Sequence, residues 1–323
     1  MAYSSEVIRR ARRRLESKKA DHDSLQQARL QEVYAKLPRV WEIDKQLRYS
    51  MALAAQAAFQ KGGTDAMDKI RDANLALQAE RKALIAANFP AEYLDESPVC
   101  QHCDGSGYIG SHMCQCLFEL CREEQKKQLS LLAANNASFA QFRLDYYPEA
   151  IDPKYGASPR VIMTKILDIC RKYAANFSTD AGNLLFNGGT GLGKTFLSAC
   201  IAQEVAGKGF SVAYESAQHL FSKLERDRFH PDEESAAAVN HLVRCDLLIV
   251  DDLGTELPGN FTTAALYNIV NDRLLAGKPM IISTNLNIGE IYERYSPQIA
   301  SRLQGSFQLL PFVGQDIRVL KNK

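Results

Sequence analysis

"NLLFNGGTGLGKTFLS", residues 183–198, decides how the rest of this chain is read. It opens on an apolar run, Leu184 to Phe186, breaks into glycines, and closes on Lys194, Thr195 and a second apolar segment. Gly188, Gly193, Lys194 and Thr195 fit the spacing G-x-x-x-x-G-K-[ST]. Glycines between a strand and a helix let backbone N–H groups curl around a phosphate, and the helix N-terminus adds partial positive charge. Gly188, Gly189, Thr190, Gly191, Leu192 and Gly193 are therefore expected to form a phosphate cradle, with Phe196 following on the helix. Lys194 is expected to reach the β- and γ-phosphates of a nucleotide, and Thr195 to offer its hydroxyl to Mg²⁺.

A second stretch, "CDLLIVDDLGTE" (245–256), ends an apolar run on two adjacent carboxylates. Burying charge is costly unless it is compensated. The phosphate loop supplies the compensation. Leu247 to Val250 is expected as a strand beside the phosphate-loop strand, with Asp251 holding the magnesium through water. Asp252 then faces the γ-phosphate and polarises the attacking water as general base. A third run, "PMIISTN", ends in Asn285, which either holds that water or is a strand-end turn residue. A phosphoryl transition state gains from an added arginine. Arg302 in "IASRL" is the first candidate and Arg294 the second, while Arg318 is a candidate for a further nucleotide contact.

From Phe139 onward short apolar runs ("NLLFNG", "FSVAYE", "DLLIVDD", "PMIISTN") alternate with helical segments. That is the pattern of an α/β domain, a parallel sheet with crossover helices, and continuous apolar runs suit strands covered on both faces. The first ninety residues differ. They are rich in Ala, Leu, Gln, Arg, Lys and Glu, with breaks at Pro38 and Gly62-Gly63, and predict three helices over 5–37, 40–61 and 65–87. Ile8, Leu15, Leu25, Leu30, Val33 and Leu37 recur loosely at helical spacing, so a small bundle or coiled coil that binds partners is expected. "RRARRR" (9–14) reads as the solvated face of a helix. The domains expected are 1–90 helical, 91–135 a metal module ending in a polar linker helix (117–135), and 136–323 the α/β domain.

Cys100, Cys103, Cys114 and Cys116 place four thiols within seventeen residues. Two close pairs joined by a glycine-bearing loop can reach one tetrahedral zinc, and four Cys ligands leave no open position, so the zinc is expected to be structural. Cys121, His102 and His112 remain alternative ligands. Cys170, Cys200 and Cys245 are isolated among apolar residues and read as core. The net charge of +1 gives no nucleic-acid signal for the whole chain. No run approaches the ~20 apolar residues of a membrane span, and the N-terminus lacks a secretory core, so a cytoplasmic protein is expected.

These motifs resemble one family. Residues 139–323, through "NLLFNGGTGLGKTFLS", "CDLLIVDDLGTE", "IISTN", "IASRL" and "PFVGQDIR", are similar to AAA+ ATPases of the DnaC/DnaI type, the bacterial replicative helicase loaders. "CQHCDGSGYIGSHMCQC" (100–116) resembles the zinc-bearing region of the DnaI branch. The resemblance implies that Gly188 to Thr195 is the Walker A loop, Asp251 and Asp252 Walker B, and Asn285 sensor 1. Arg302 is implied as an arginine finger acting on a neighbouring subunit, and Arg318 as sensor 2, although no helical lid is expected after it. It further implies that the element at 216–245 contacts single-stranded DNA, with Lys223, Arg226, Arg228 and Phe229 as contacts. An ordinary surface helix is the alternative there. Many AAA+ proteins carry Glu where this chain has Asp252, which implies slow, switch-like hydrolysis. The partners implied are the hexameric replicative helicase, single-stranded DNA and, in ATP, further AAA+ subunits. The rival readings are an IstB-type transposition helper, a P-loop kinase, and an adaptor that binds ATP without hydrolysing it.

Overall fold

The computed structural model describes residues 3–57, 64–95, 97–132 and 137–320. Two compact units emerge, Arg14–Cys114 and Gln115–Lys323 together with the first thirteen residues.

In the smaller unit the helices are α1 (Ser5–Lys36), which begins in the other unit, α2 (Pro38–Ala57) and α3 (Thr64–Asn88). Pro38 opens α2 rather than only breaking the chain, since a missing N–H costs nothing in a first turn. The expected break at Gly62-Gly63 and the end of the helix over 40–61 lie outside the described residues. Val33, Val40 and Phe89 form a small core. Beside it Tyr34 donates to Asp44 at 2.8 Å and Arg81 pairs with the same carboxylate at 2.8 Å. In the basic run Arg9, Arg10, Arg12 and Arg13 are exposed around buried Ala11, the solvated face expected. A two-residue hairpin, β1 (Tyr108–Ile109) and β2 (His112–Met113), separates the cysteine pairs.

The larger unit is a five-stranded sheet in the order β4-β5-β6-β3-β7, parallel throughout: β3 (Asn183–Asn187), β4 (Val212–Ser216), β5 (Leu247–Leu253), β6 (Met280–Thr284) and β7 (Phe307–Pro311). Strand residues alternate between two cores. Leu184, Phe186, Leu247 and Ile249 pack with Met163, Ile166, Leu167 and Cys170 of α5 (Pro159–Ala175) and with α6 (Lys194–Gly207). Leu185, Leu248 and Val250 pack with α7 (Ala217–Phe229), α8 (Glu233–Arg244), α9 (Asn260–Leu275), α10 (Ile288–Arg294) and α11 (Pro297–Ser306). The doubly covered parallel sheet is therefore present, and Cys170, Cys200 and Cys245 are buried in it as expected.

The strand order corrects one expectation. β5 does not lie beside the phosphate-loop strand, because β6 sits between them. Parallel strands joined by helices carry no mark in sequence of which partner they will choose. All five residues of β6 are buried, which suits the strand that takes this central place.

α4 (Gln115–Leu132) corrects another. Expected as a polar linker over 117–135, it buries Leu117, Leu120, Cys121 and Leu129, and its last expected residues lie outside the described ones. Its Gln125 side chain caps the start of the outer edge of β4, accepting from the Val212 N–H at 2.9 Å and donating at 2.8 Å to the carbonyl of Phe210, just ahead of the strand. Arg273 on α9 is fully buried, with its guanidinium donating to the carbonyls of Leu242, Val243 and Cys245 at the C-terminus of α8 and to that of Pro279. Carbonyls at a helix C-terminus carry partial negative charge, so they compensate a cation that has no carboxylate bonded to it among the described residues. No helix among the described residues is long and apolar enough to cross a membrane.

Candidate functional site

The loop between β3 and α6 lies at the C-terminal end of the sheet, where open parallel sheets place their ligands. Gly188 has φ +149, and a Cβ there would fall 2.3 Å from the Phe312 carbonyl oxygen, so only glycine fits. Lys194, the first residue of α6, is buried, and its Nζ donates to the Gly188 and Gly189 carbonyls at 2.6 and 2.7 Å. Burial holds its ammonium below the usual lysine range, and the charges of Asp252 and Asp251 oppose that shift. A phosphate placed in this loop would meet a lysine already partly stripped of water.

The two carboxylates of β5 differ because the strand is irregular between them. Pairing with β6 shifts register between Val250 and Leu253, and Asp252 takes a left-handed backbone conformation at φ +56. An extra residue in a strand re-aims the side chains that follow. Asp251 is thereby buried and accepts from Tyr214 Oη at 2.9 Å, Thr195 Oγ1 at 3.3 Å and Ser283 Oγ. Asp252 faces the open pocket, its backbone N–H donating to the same Ser283 hydroxyl at 2.9 Å. Partial enclosure raises the Asp252 carboxyl above the ordinary range and the neighbouring Asp251 raises it further, while Lys194 and Arg318 pull it back. Aspartate is among the few residues that enter the left-handed region readily.

One pocket gathers Thr190–Phe196, Asp252, Thr255, Asn285 and Arg318. Asn285 follows β6 directly, its Oδ1 3.4 Å from where a Cβ on Gly254 would lie, so it flanks the turn after Asp252. Thr195 and Asp251 offer hard oxygen atoms of the kind magnesium takes. Gln141, Phe142, Arg143, Tyr146 and Ile317 line the same pocket and, like Thr255, were not expected. Tyr214 and Ser283, which hold Asp251, were missed as well. The signal for Phe142, Arg143 and Tyr146 was the aromatic run "FRLDYYP" (142–148), ahead of α5.

Arg302 does not line this pocket. Its guanidinium stacks on Tyr267 at 4.4 Å and donates to Tyr267 Oη and Asn271 Oδ1 at 2.8 and 3.0 Å. Arg294 is engaged with buried Glu256, donating to its carbonyl and lying 3.6 Å from its carboxylate. On α7, Lys223 pairs with Glu215, and Arg226 pairs with Asp232 at 2.8 Å and Glu234 at 3.6 Å. Arg228 lies 5.8 Å from the ring centres of both Phe229 and Phe261. Phe229 is 58% exposed, which leaves a ring face for stacking, and Phe261 of α9 is a neighbour the sequence did not suggest.

Cys100, Cys103, Cys114 and Cys116 bring their Sγ atoms within 4.8 Å of one another. The Cys100 and Cys114 sulfurs are 3.8 Å apart, which is about the edge of a tetrahedron with 2.3 Å bonds. The Gly107 N–H donates to Cys103 Sγ at 3.3 Å. The donor set fits a closed zinc site. Cys121, His102 and His112 stand outside the cluster: Cys121 is fully buried with its thiol raised to about 11 by burial, and both histidines are exposed.

Residues 160–299 match the family described as IstB-like ATP binding protein. The replicative helicase loader DnaC of Escherichia coli K12 is 24% identical over 138 residues, 43% of this chain and 56% of DnaC. An ATP-binding protein of an insertion sequence in Mycobacterium tuberculosis is 26% identical over 135 residues, 42% of this chain and 51% of that one. The chain thus spans about half the length of these curated relatives. A crystal structure of the DnaC helicase loader superposes with a TM-score of 0.47 and 20% identity, over 55% of this chain and 97% of the other.

Proposed function

With residues 160–299 an AAA+ ATP-binding domain related to DnaC and to insertion-sequence ATP-binding proteins, we propose that the chain is an ATP-dependent helicase loader. In this reading it binds the hexameric replicative helicase and single-stranded DNA, in the cytoplasm, during replication initiation. The observation that carries the chemical half is the convergence of Lys194, Asp252, Asn285 and Arg318 on one pocket, with Asp251 buried behind it. Lys194 and the loop N–H groups bind the phosphates, Thr195 and Asp251 hold Mg²⁺, and Asn285 and Asp252 orient and deprotonate water. Magnesium, when bound, neutralises charge that develops between the β- and γ-phosphates. Arg302 acts on the ATP of a neighbouring subunit, which agrees with its place away from its own pocket. Hydrolysis is slow and serves as a release switch.

The remaining parts follow from that assignment. Residues 1–90 grip the helicase, 91–135 form the structural zinc module, and 136–323 work as the ATPase. Lys223, Arg226, Arg228 and Phe229 track DNA by charge and stacking. The zinc cluster favours the loader over its rival.

The rival is an IstB-type transposition helper, favoured by the family match at residues 160–299. Co-elution with the replicative helicase of the host, with molar mass read by light scattering in ATP and in ADP, separates the two. The loader reading expects a complex that is lost when residues 1–130 are deleted. A protein that forms no complex in either nucleotide and prefers duplex over single-stranded DNA is the transposition helper.

A further inference from the structure

The segment after β7 returns across the phosphate loop. The Phe312 N–H donates to the Asn187 carbonyl at 2.6 Å, and the Ile317 N–H to the Gly191 carbonyl at 3.0 Å. Between these two points Asp316 meets the loop side-on. Gly191 has φ +69, and a Cβ on it would lie 1.8 Å from Asp316 Oδ1 and 2.2 Å from its Cγ. The missing side chain of Gly191 is thus the space the Asp316 carboxylate occupies. The same Oδ1 accepts from the Arg318 backbone N–H at 2.8 Å, and the Asp316 carbonyl accepts from Val319 and Leu320, which starts a short helix, α12 (Ile317–Leu320).

A carboxylate placed against a phosphate-binding loop is unfavourable for an anionic ligand unless it does something else there. What it does is local. It fixes the backbone from which Arg318 leaves, at a point where the loop has made room for it. Arg318 lines the nucleotide pocket, and its charge is felt at both Lys194 and Asp252. Those two residues line the same pocket as Arg318.

We propose that Asp316 is a positioning residue for Arg318: seated in the gap left by Gly191 and bonded to the Arg318 N–H, it sets the arginine against the terminal phosphate of ATP. The proposal rests on the nucleotide reading of the pocket. It makes Gly191 and Asp316 one device, a glycine that yields space and a carboxylate that uses it, so the loop and the arginine hold their places together.

The test uses the full chain and four variants, Asp316→Ala, Asp316→Asn, Arg318→Ala and the double Asp316→Ala/Arg318→Ala. Fluorescent ATP and ADP analogues report Kd, and phosphate release reports kcat and KM. Asp316→Ala is expected to weaken ATP about tenfold and ADP less than twofold, because only ATP carries the phosphate that Arg318 meets. Asp316→Asn keeps an oxygen acceptor for the Arg318 N–H and is expected to stay within about threefold of the parent. In the Arg318→Ala background, Asp316→Ala is expected to add less than twofold, since a positioning residue has nothing left to position. Equal loss of ATP and ADP, full additivity in the double variant, or parental ATP binding in Asp316→Ala each overturns the proposal. A parent chain that binds neither nucleotide refutes the nucleotide reading itself, a separate failure.

Discussion

Replacing Asp252 by Asn separates charge from shape in the pocket. Asn enters the left-handed region at least as readily as Asp, so the φ of +56 and the 2.9 Å bond from this residue's N–H to Ser283 are retained. One negative charge is lost between Asp251, Lys194 and Arg318. If Asp252 is the base that activates water, hydrolysis falls about 10²- to 10⁴-fold, or about 3–5 kcal/mol in the barrier. ATP affinity changes only a few-fold, since Lys194, Thr195 and the loop are intact. Stability moves the other way. The Asp252 carboxyl is raised by partial burial and then by Asp251, so the folded chain holds this proton more tightly than the unfolded one. Its contribution is fully present below the ordinary carboxylate value near 4 and is lost as pH rises through the folded value. Without nucleotide, Asp252→Asn is therefore expected to melt at or above the parent temperature at pH 7, and the difference to vanish below pH ~4. Phosphate release, nucleotide titration and calorimetry from pH 3 to 8 check these together. Hydrolysis within about threefold of the parent, or a lower melting temperature at pH 7, would refute the reasoning.

Other perturbations reach other parts of the molecule. Arg302→Ala is expected to bind ATP normally but hydrolyse it about 10³-fold more slowly, and mixing it with Asp252→Asn subunits should restore turnover by pairing an intact pocket with an intact arginine. Failure of the mixture to recover places Arg302 outside catalysis. Cys103→Ser should lose the zinc measured by elemental analysis of the purified chain, with ATP affinity unchanged; a parent chain without stoichiometric zinc sinks the metal assignment. Arg273→Met removes the guanidinium donor from the buried Leu242 and Cys245 carbonyls, the part-buried one of Val243 and that of Pro279, which keeps the Leu248 N–H, and should cost about 3 kcal/mol, or about 6–12 °C in Tm for a unit of this size; an unchanged Tm would mean that water replaces the guanidinium. Phe229→Ala together with Arg228→Ala should weaken single-stranded DNA binding about 10- to 100-fold by removing a stacking face and a cation, whereas an unchanged titration leaves α7 as an ordinary surface helix.

How far the sequence could be read depends on the range of each interaction. The phosphate loop, the carboxylate pair and the cysteine cluster are local patterns, and Gly188 to Thr195, Asp251-Asp252 and Cys100 to Cys116 were legible from neighbours in the chain. The alternation of apolar runs revealed the parallel sheet, because covered strands need continuous apolar residues. The order of its strands was not legible, since β6 enters between β3 and β5 through tertiary packing alone. The bulge at Asp252 was hidden for a related reason: "VDDL" can continue a strand or kink it, and pairing with Ile282 and Thr284 decides. Tyr214 and Ser283 hold Asp251 from two other strands, and although Ser283 lies within "IISTN", nothing near it in the chain ties it to Asp251. The buried face of α4 was underestimated because its polar residues outnumber its apolar ones, yet Leu117, Leu120, Cys121 and Leu129 share the burial.

Gln125 has a consequence for the life of the chain before it is complete. An open edge strand is a template for another molecule's strand, and the hazard is greatest while a sheet is half built. The amide of Gln125 occupies the Val212 N–H at the start of β4 and the Phe210 carbonyl just ahead of it. It lies 87 residues ahead of Val212, so during synthesis the guard leaves the ribosome well before the edge it protects. The start of β4 can be capped on that side by a side chain already waiting, while its other side receives β5 a few seconds later at ordinary elongation rates.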